Sequence, residues 1–275
     1  MKSGTSLLRV LLGQHPNLFA TFESHWFSDE LRNDWMNFES HRVKLLMQLF
    51  ELTRNEYQSL CIEKISNNNV EFIDIVYRYC AKRAHKSRWV DKTPYNIKYF
   101  DVITREWPGA VLIHVTREYK DTFASWKVRR GDDINTFLDW SLVAYEQIRP
   151  LMGTEQQNYL EVDYFDLVVN SEHTMRRVLE KIGEPWDAAC SQIVVKDTEE
   201  ERIKIKNIIK RESLTSVSLA KPIFTDSICQ WKRLISKGEA NIIDKEFAPY
   251  YAIYGQRWKR YDQYCQGAGN STRTR

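Results

Sequence analysis

Two short stretches of this chain combine residue types suited to binding anions. The first is Lys2-Ser3-Gly4-Thr5-Ser6, placed directly before the apolar residues Leu7, Leu8, Val10, Leu11 and Leu12. Gly4 lets the backbone turn tightly, and the N–H groups opening the following helix point at a ligand with a favourable dipole. Lys2 supplies a compact positive charge, and Thr5 and Ser6 add hydroxyl donors. The same Ser/Thr/Gly pattern is also an ordinary helix N-cap, so alone it leaves both readings open. The Walker A order of glycine and lysine is absent, which disfavours Walker-type nucleotide chemistry. The second stretch is Arg117 followed by Ser125 and Arg129. The last two lie four residues apart and share one helix face. Arg117 follows Ile113-His114-Val115-Thr116, at the C-terminal end of a strand, where α/β sheets bind ligands. The three can converge on a second anionic group; a surface arginine beside a helical serine is the alternative.

These residues depend on elements that the pattern also predicts. The leucine-rich run reads as a buried helix that stops near Gly13 and Pro16. Helical spacing recurs over 41–52 and 70–84, and Trp89-Val90 reads as a short strand. Pro94 stands where a first-turn proline opens a helix, here through Glu106. Ala110 to Val115 is nearly continuous in apolar character, which suits a buried parallel strand. Helices over 119–129 and 136–151 follow, then a strand at Tyr159–Val162 and a helix from Glu172 to Ile182 ended by Gly183. Strands alternating with helices imply βαβ units and a mostly parallel sheet. The expected architecture is α/β, a P-loop-like three-layer α/β/α arrangement with a helical insertion at 24–88 over the cleft. That insertion is rich in aromatics such as Trp26, Trp35 and Phe38. The basic stretch at 201–211 reads as a solvated face, and 263–275 as a disordered polar tail, leaving 1–262 as one domain.

Composition narrows the function classes. The 275 residues are 43% hydrophobic with a net charge of only +3. Binding of nucleic acid through bulk charge is thereby disfavoured. No apolar run approaches the roughly 20 residues of a membrane span. Five widely spaced cysteines, without a CxxC pair, read as buried free thiols of a reducing, cytoplasmic compartment rather than a zinc site or disulfide framework. The histidines show no HxxxH pair, so no metal is expected.

Taken together, the motifs resemble the PAPS-dependent sulfotransferases, where PAPS is 3′-phosphoadenosine 5′-phosphosulfate. Lys2-Ser3-Gly4-Thr5-Ser6-Leu7-Leu8 is similar to that family's 5′-phosphosulfate loop. His114-Val115-Thr116-Arg117, Asp121 and Ser125 resemble its 3′-phosphate motif. Tyr164-Phe165-Asp166-Leu167 with Gly183-Glu184-Pro185-Trp186, and Lys221-Pro222 with Trp231, resemble two further family segments. His15-Pro16, Glu23 and Asp91-Lys92-Thr93-Pro94 are similar to the branch containing the tyrosylprotein sulfotransferases and bacterial relatives.

The resemblance implies transfer of a sulfuryl group from PAPS to an acceptor hydroxyl or amine. The acceptor class stays open among small molecules, glycans, lipids and peptides, and no metal is required. Lys2 would neutralise charge growing on the departing 5′-phosphate oxygen, with Ser3, Gly4, Thr5, Ser6 and Leu7 forming the loop. Arg117, Ser125 and Arg129 would hold the 3′-phosphate, and Tyr164 the adenine end. Glu23 occupies the general-base position of the tyrosylprotein branch, Asp91 competes for that role, and Lys92 would contact the sulfonate or acceptor. Lys221 and Lys232 would belong to the segment closing over the nucleotide; relatives carry a lysine before the tryptophan, whereas here the order is Gln230-Trp231-Lys232. Relatives also place a hydrophobic strand before the phosphate loop, whereas only Met1 precedes Lys2, so further native residues upstream are expected. The alternatives are a catalytically inactive nucleotide-binding relative and, against the absent Walker features, a nucleotide-dependent kinase.

Overall fold

Parallel strands, each followed at its C-terminal end by chemistry-bearing residues, organise the chain. The computed structural model describes residues 3–27, 35–63, 69–131, 133–210 and 213–271. The first elements are α1 (Thr5–Gly13), β1 (Leu18–Ala20), α2 (His41–Phe50), α3 (Arg54–Glu63), α4 (Asn69–Arg83), β2 (Arg88–Val90) and α5 (Phe100–Glu106). Next come β3 (Leu112–Thr116), α6 (Tyr119–Arg130), α7 (Ile134–Ile148), β4 (Tyr159–Asp163), α8 (Tyr164–Val169) and α9 (Ser171–Ile182). The chain closes with α10 (Val195–Ile209), α11 (Leu214–Leu219), α12 (Trp231–Leu234), α13 (Lys237–Glu246), α14 (Ala248–Ile253) and α15 (Gly255–Ser271). It divides into two compact units, one of residues 5–110 with 182–223, the other of 1–4, 111–181 and 224–275.

In the first unit α1 buries Leu7, Leu8, Val10, Leu11 and Leu12, as its apolar periodicity requires. Arg9 is buried with them and donates to both carboxylate oxygens of Glu201 on α10, so the charge does not enter the core alone. Strands β1 and β2 pair in parallel, Leu18 opposite Arg88 and Ala20 opposite Val90. Helices α2 to α4 supply most of the core: Trp26, Phe50, Tyr57, Phe72 and Tyr77 pack in edge-on contacts. Trp26 and its neighbours are thus core. Helix α2 is capped by Ser40, whose side chain accepts from Arg42 N, a contact worth about 1 kcal/mol. The predicted helix from Pro94 begins instead as a 3₁₀ helix, Pro94–Tyr99, before α5. Asn96 is drawn into that tight turn by its backbone bond to Thr93 O and its side-chain bond to Asp91. The basic stretch falls on α10, where Arg202 pairs with Glu199 and Lys204 with Glu51.

In the second unit β3 and β4 are parallel, in a register that sets Leu112 opposite Tyr159 and Thr116 opposite Asp163. The strand–helix alternation predicted for this region is observed, in two parallel pairs of strands. Tyr119, Phe123, Phe137, Tyr145, Phe247 and Tyr250 form an aromatic core, with Tyr119 stacked on Phe247 at 4.4 Å between centroids. Helix α6 ends at Gly131, in the left-handed region at φ 73°, and α9 gives way to Gly183, also at φ 73°. Two expectations are corrected here. The tail read as disordered from 263 onward is helical through Ser271, because Trp258, Tyr261 and Cys265 of α15 are buried. Residues 272–275 lie outside the described residues. Cys229 and Cys265 form a disulfide, while Cys61, Cys80 and Cys190 are buried free thiols. A single bridge across 36 residues leaves no spacing signature; α15 packing beside the 229 segment creates it. Among the described residues no helix is long and apolar enough to cross a membrane.

Candidate active site

The phosphate-type loop is built around one glycine. Gly4 has φ +101°, and a Cβ placed on it would overlap the Tyr164 ring. Ser3 before it is buried, and Thr5 begins α1. Leu7 points into the core, so only its backbone can serve a ligand. Lys2 lies outside the described residues.

Parallel pairing of β1 and β2 brings their C-terminal ends side by side, so Glu23 and Lys92, a few residues beyond, emerge together. The Lys92 ammonium donates to Glu23 Oε1 at 2.5 Å and to Ser6 Oγ at 3.2 Å. His25 Nε2 lies 3.3 Å from the other Glu23 oxygen. Burial by itself would raise the Glu23 carboxyl, but the His25 hydrogen bond and the Lys92 charge outweigh it and hold the group down at about 2. One side of Glu23 nevertheless stays open, its side chain 40% exposed. Burial lowers Lys92, and the charge of Glu23 opposes that fall.

Asp91 is occupied differently. Its Oδ1 accepts from Tyr77 at 2.6 Å, Ser24 at 2.8 Å and Thr93 at 3.4 Å, and its Oδ2 from Asn96 at 2.5 Å. Thr93 Oγ1 in turn accepts the backbone N–H of Ser24 at 3.1 Å and of His25 at 3.3 Å. This knot fixes the turn that carries Glu23, and it supports His25 in a left-handed conformation at φ 54°.

The second unit builds its site by the same rule. Thr116 and Asp163 are register partners at the ends of β3 and β4, so the next residues, Arg117 and Tyr164, meet. The guanidinium lies 4.4 Å from the tyrosine ring centroid, a contact worth about 1 kcal/mol. Arg257 braces both strand ends, donating to Thr116 Oγ1 at 2.8 Å and Glu161 Oε2 at 3.2 Å. Ser125 and Arg129 follow on α6, Ser125 buried. Burial first, then the neighbouring Arg117 charge, lowers the Arg129 guanidinium. Two arginines repelling one another inside a partly buried volume are a place that an anion stabilises.

At the start of α6, Glu118 Oε2 accepts Asp121 N at 2.8 Å and Oε1 accepts the Tyr251 hydroxyl at 2.5 Å, with Lys120 at 3.7 Å. Burial pushes this carboxyl up to about 7 against the lowering by Lys120 and Tyr251. The folded state therefore keeps a proton that the unfolded chain loses near 4.5. Stability is expected to fall as pH rises between those values, by on the order of 3 kcal/mol at most. Glu118→Gln flattens the slope in urea unfolding across that window. Asp163, which burial pushes up to about 6, contributes a remaining slope of the same sign.

Of the two lysines expected at the nucleotide, Lys232 donates to Cys265 O at 3.0 Å, on α15, and Lys221 is exposed. Ser227 was not legible in the sequence, since residues 222–230 carry no periodicity. Its carbonyl accepts from Arg117 Nη2 at 2.5 Å, and its hydroxyl lies 2.5 Å from the Tyr164 hydroxyl.

Known proteins are similar to this chain. The chain is 25% identical over 243 residues to protein-tyrosine sulfotransferase A of Caenorhabditis elegans, covering 84% of this chain and 58% of that protein. It is 23% identical over 283 residues to a protein-tyrosine sulfotransferase of Drosophila melanogaster, covering 96% of this chain and 50% of that protein. The chain thus spans about half the length of these curated relatives. Its fold is similar to the sulfotransferase domain of the Synechococcus PCC 7002 olefin synthase, with TM-score 0.61, 18% identity, and 90% and 91% of the two chains covered. It is also similar to the sulfotransferase domain from the curacin biosynthetic pathway, with TM-score 0.59, 15% identity, and coverage of 90% and 94%. The profile described as Sulfotransferase family matches residues 1–188, the segment bearing the glycine loop, Glu23, Lys92, Arg117 and Tyr164, and this chain belongs to that family.

Proposed function

We propose that this chain transfers a sulfuryl group from PAPS to an acceptor hydroxyl. One observation carries the reading: a single buried ammonium, Lys92, is shared between the Glu23 carboxylate and the Ser6 hydroxyl of the glycine loop. The residues fit a bisphosphorylated nucleotide. Gly4 turns the loop at φ +101° directly against the Tyr164 ring, and Arg117 and Arg129 place two positive charges near one another.

PAPS when bound supplies the sulfuryl group and carries away its charge on the 5′-phosphate. Ser3, Gly4, Thr5, Ser6 and the Leu7 amide are assigned to the 5′-phosphosulfate; Arg117, Ser125 and Arg129 to the 3′-phosphate; Tyr164 to the adenine end. Glu23 takes the acceptor proton as the new O–S bond forms and the bond from sulfur to the phosphate oxygen breaks. Lys2 is assigned to the charge left on that oxygen, and Lys92 to the sulfonate. A carboxylate held at about 2 is a weak base, so drawing Lys92 toward the sulfonate also restores the basicity of Glu23. Asp91, whose oxygens accept from four side chains, is assigned to positioning rather than proton transfer.

For the acceptor we favour a tyrosine phenol in a peptide. Support comes from the relatives' names and from the partly exposed Tyr95, which lies 6.3 Å from the His25 ring, between centroids, with Lys98 over its face at 5.1 Å. Incubation with sulfur-labelled PAPS and a panel of tyrosine peptides, phenols and sugars tests both levels. Label is expected on the tyrosine peptides. Label on sugars alone overturns the acceptor assignment. Binding of 3′-phosphoadenosine 5′-phosphate (PAP) without transfer to any acceptor overturns the enzymatic one, leaving a nucleotide-binding relative.

A further inference from the structure

The Asp121 side chain, within the Arg117–Ser125 stretch, is given none of the ligand contacts assigned above, yet only 1% of its surface is exposed. Its Oδ1 accepts the backbone N–H of Trp231 at 3.0 Å, and its Oδ2 that of Cys229 at 2.9 Å and the Tyr261 hydroxyl. Its own carbonyl accepts from Gln230 Nε2 at 3.2 Å. The Tyr261 oxygen also accepts from Cys229 N, at 2.9 Å, so one carboxylate and one phenol grip the same amide. Every one of these contacts involves the 229–231 turn or the helix that backs it.

What that turn holds is Ser227. Two residues before Cys229, Ser227 meets Arg117 through its carbonyl and Tyr164 through its hydroxyl. Between them the chain turns through Cys229 at φ 61°, a left-handed conformation that a side chain disfavours and that persists where surroundings fix it. We propose that Asp121 is a positioning residue for the 3′-phosphate site. It clamps the 229–231 turn so that Ser227 seats the Arg117 guanidinium and the Tyr164 ring. An ordinary capping role, an acidic residue in the first turn of α6, accounts for a favourable dipole interaction. It does not account for both carboxylate oxygens being directed at the 229–231 turn.

The inference rests on the nucleotide reading above, and the test separates the two. Calorimetry measures PAP and 5′-AMP, which lacks the 3′-phosphate, against wild type, Asp121→Asn and Tyr261→Phe. In Asp121→Asn an amide N–H₂ replaces one acceptor and faces a backbone N–H. PAP affinity is expected to fall about tenfold, the scale of one charge-assisted hydrogen bond. Tyr261→Phe leaves the carboxylate and falls about threefold by the same reasoning. AMP affinity falls by less than PAP affinity in both, because AMP keeps the adenine end assigned to Tyr164 but lacks the 3′-phosphate assigned to Arg117. Variants that bind PAP like wild type overturn the inference. An equal loss for PAP and AMP also overturns it, since that is the mark of a purely structural defect. Wild type that fails to bind PAP overturns the nucleotide reading itself. If near-ultraviolet circular dichroism shows Asp121→Asn unfolded, the PAP-to-AMP ratio in Tyr261→Phe decides the matter alone.

Discussion

Glu23→Gln is expected to lower kcat by roughly 10²–10⁴-fold, the range of a lost general base, while PAP binds within about twofold of wild type. Glutamine keeps the shape and can still meet Lys92 through its amide oxygen. It cannot accept the acceptor proton. Asp91 cannot substitute, because Tyr77, Ser24, Thr93 and Asn96 already donate to it. The pH profile sharpens the test. For kcat/KM the acid limb reports the free protein, where His25 and Lys92 hold Glu23 at about 2, well below its ordinary 4.5. For kcat it reports the substrate complex. If Lys92 turns to the sulfonate there, the carboxyl rises and the acid limb of kcat moves to higher pH than that of kcat/KM. Both limbs depend on the carboxylate, so Glu23→Gln removes them. Wild-type turnover by this variant refutes the base assignment, whatever its effect on PAP affinity.

The two stretches proposed to bind anions each carry a local signal: a glycine before an apolar helix, and an arginine after a short apolar strand. Helix limits followed equally well where Gly13 and Gly183 end them. Partnerships were less legible. That Arg117 stacks on Tyr164 follows from the register of β3 and β4, and register is a property of the pair rather than of either strand. Asp91 looked like a competing base because it precedes Lys92; its four donors come from residues as far away as Ser24 and Tyr77. Ser227 and the Cys229–Cys265 bridge lie in segments whose shape is set by α15 and by Asp121. No window of sequence contains both sides of those contacts. Such sites are decided by tertiary packing, and there local reading runs out.

Gly4→Ala is expected to reduce PAP affinity by about a hundredfold through a single methyl group, the sum of two terms of about 1–2 kcal/mol each. The first is backbone strain, since Gly4 sits at φ +101°, where an L side chain is disfavoured. The second is steric: the added Cβ would overlap Cδ2 and Cε2 of Tyr164, a ring already held by Arg117 and Ser227. Moving the ring to admit the methyl disturbs the guanidinium stacked on it. One substitution thus reaches the glycine loop and the arginine site together. A double-mutant cycle with Tyr164→Ala separates the terms, because removing the ring relieves the overlap and leaves φ unchanged. The double variant is then expected to bind PAP more tightly than the two single losses predict, by about tenfold if the steric term is near 1.4 kcal/mol. Strict additivity confines the effect to the backbone, and Gly4→Ala that binds PAP like wild type removes the loop from the nucleotide site.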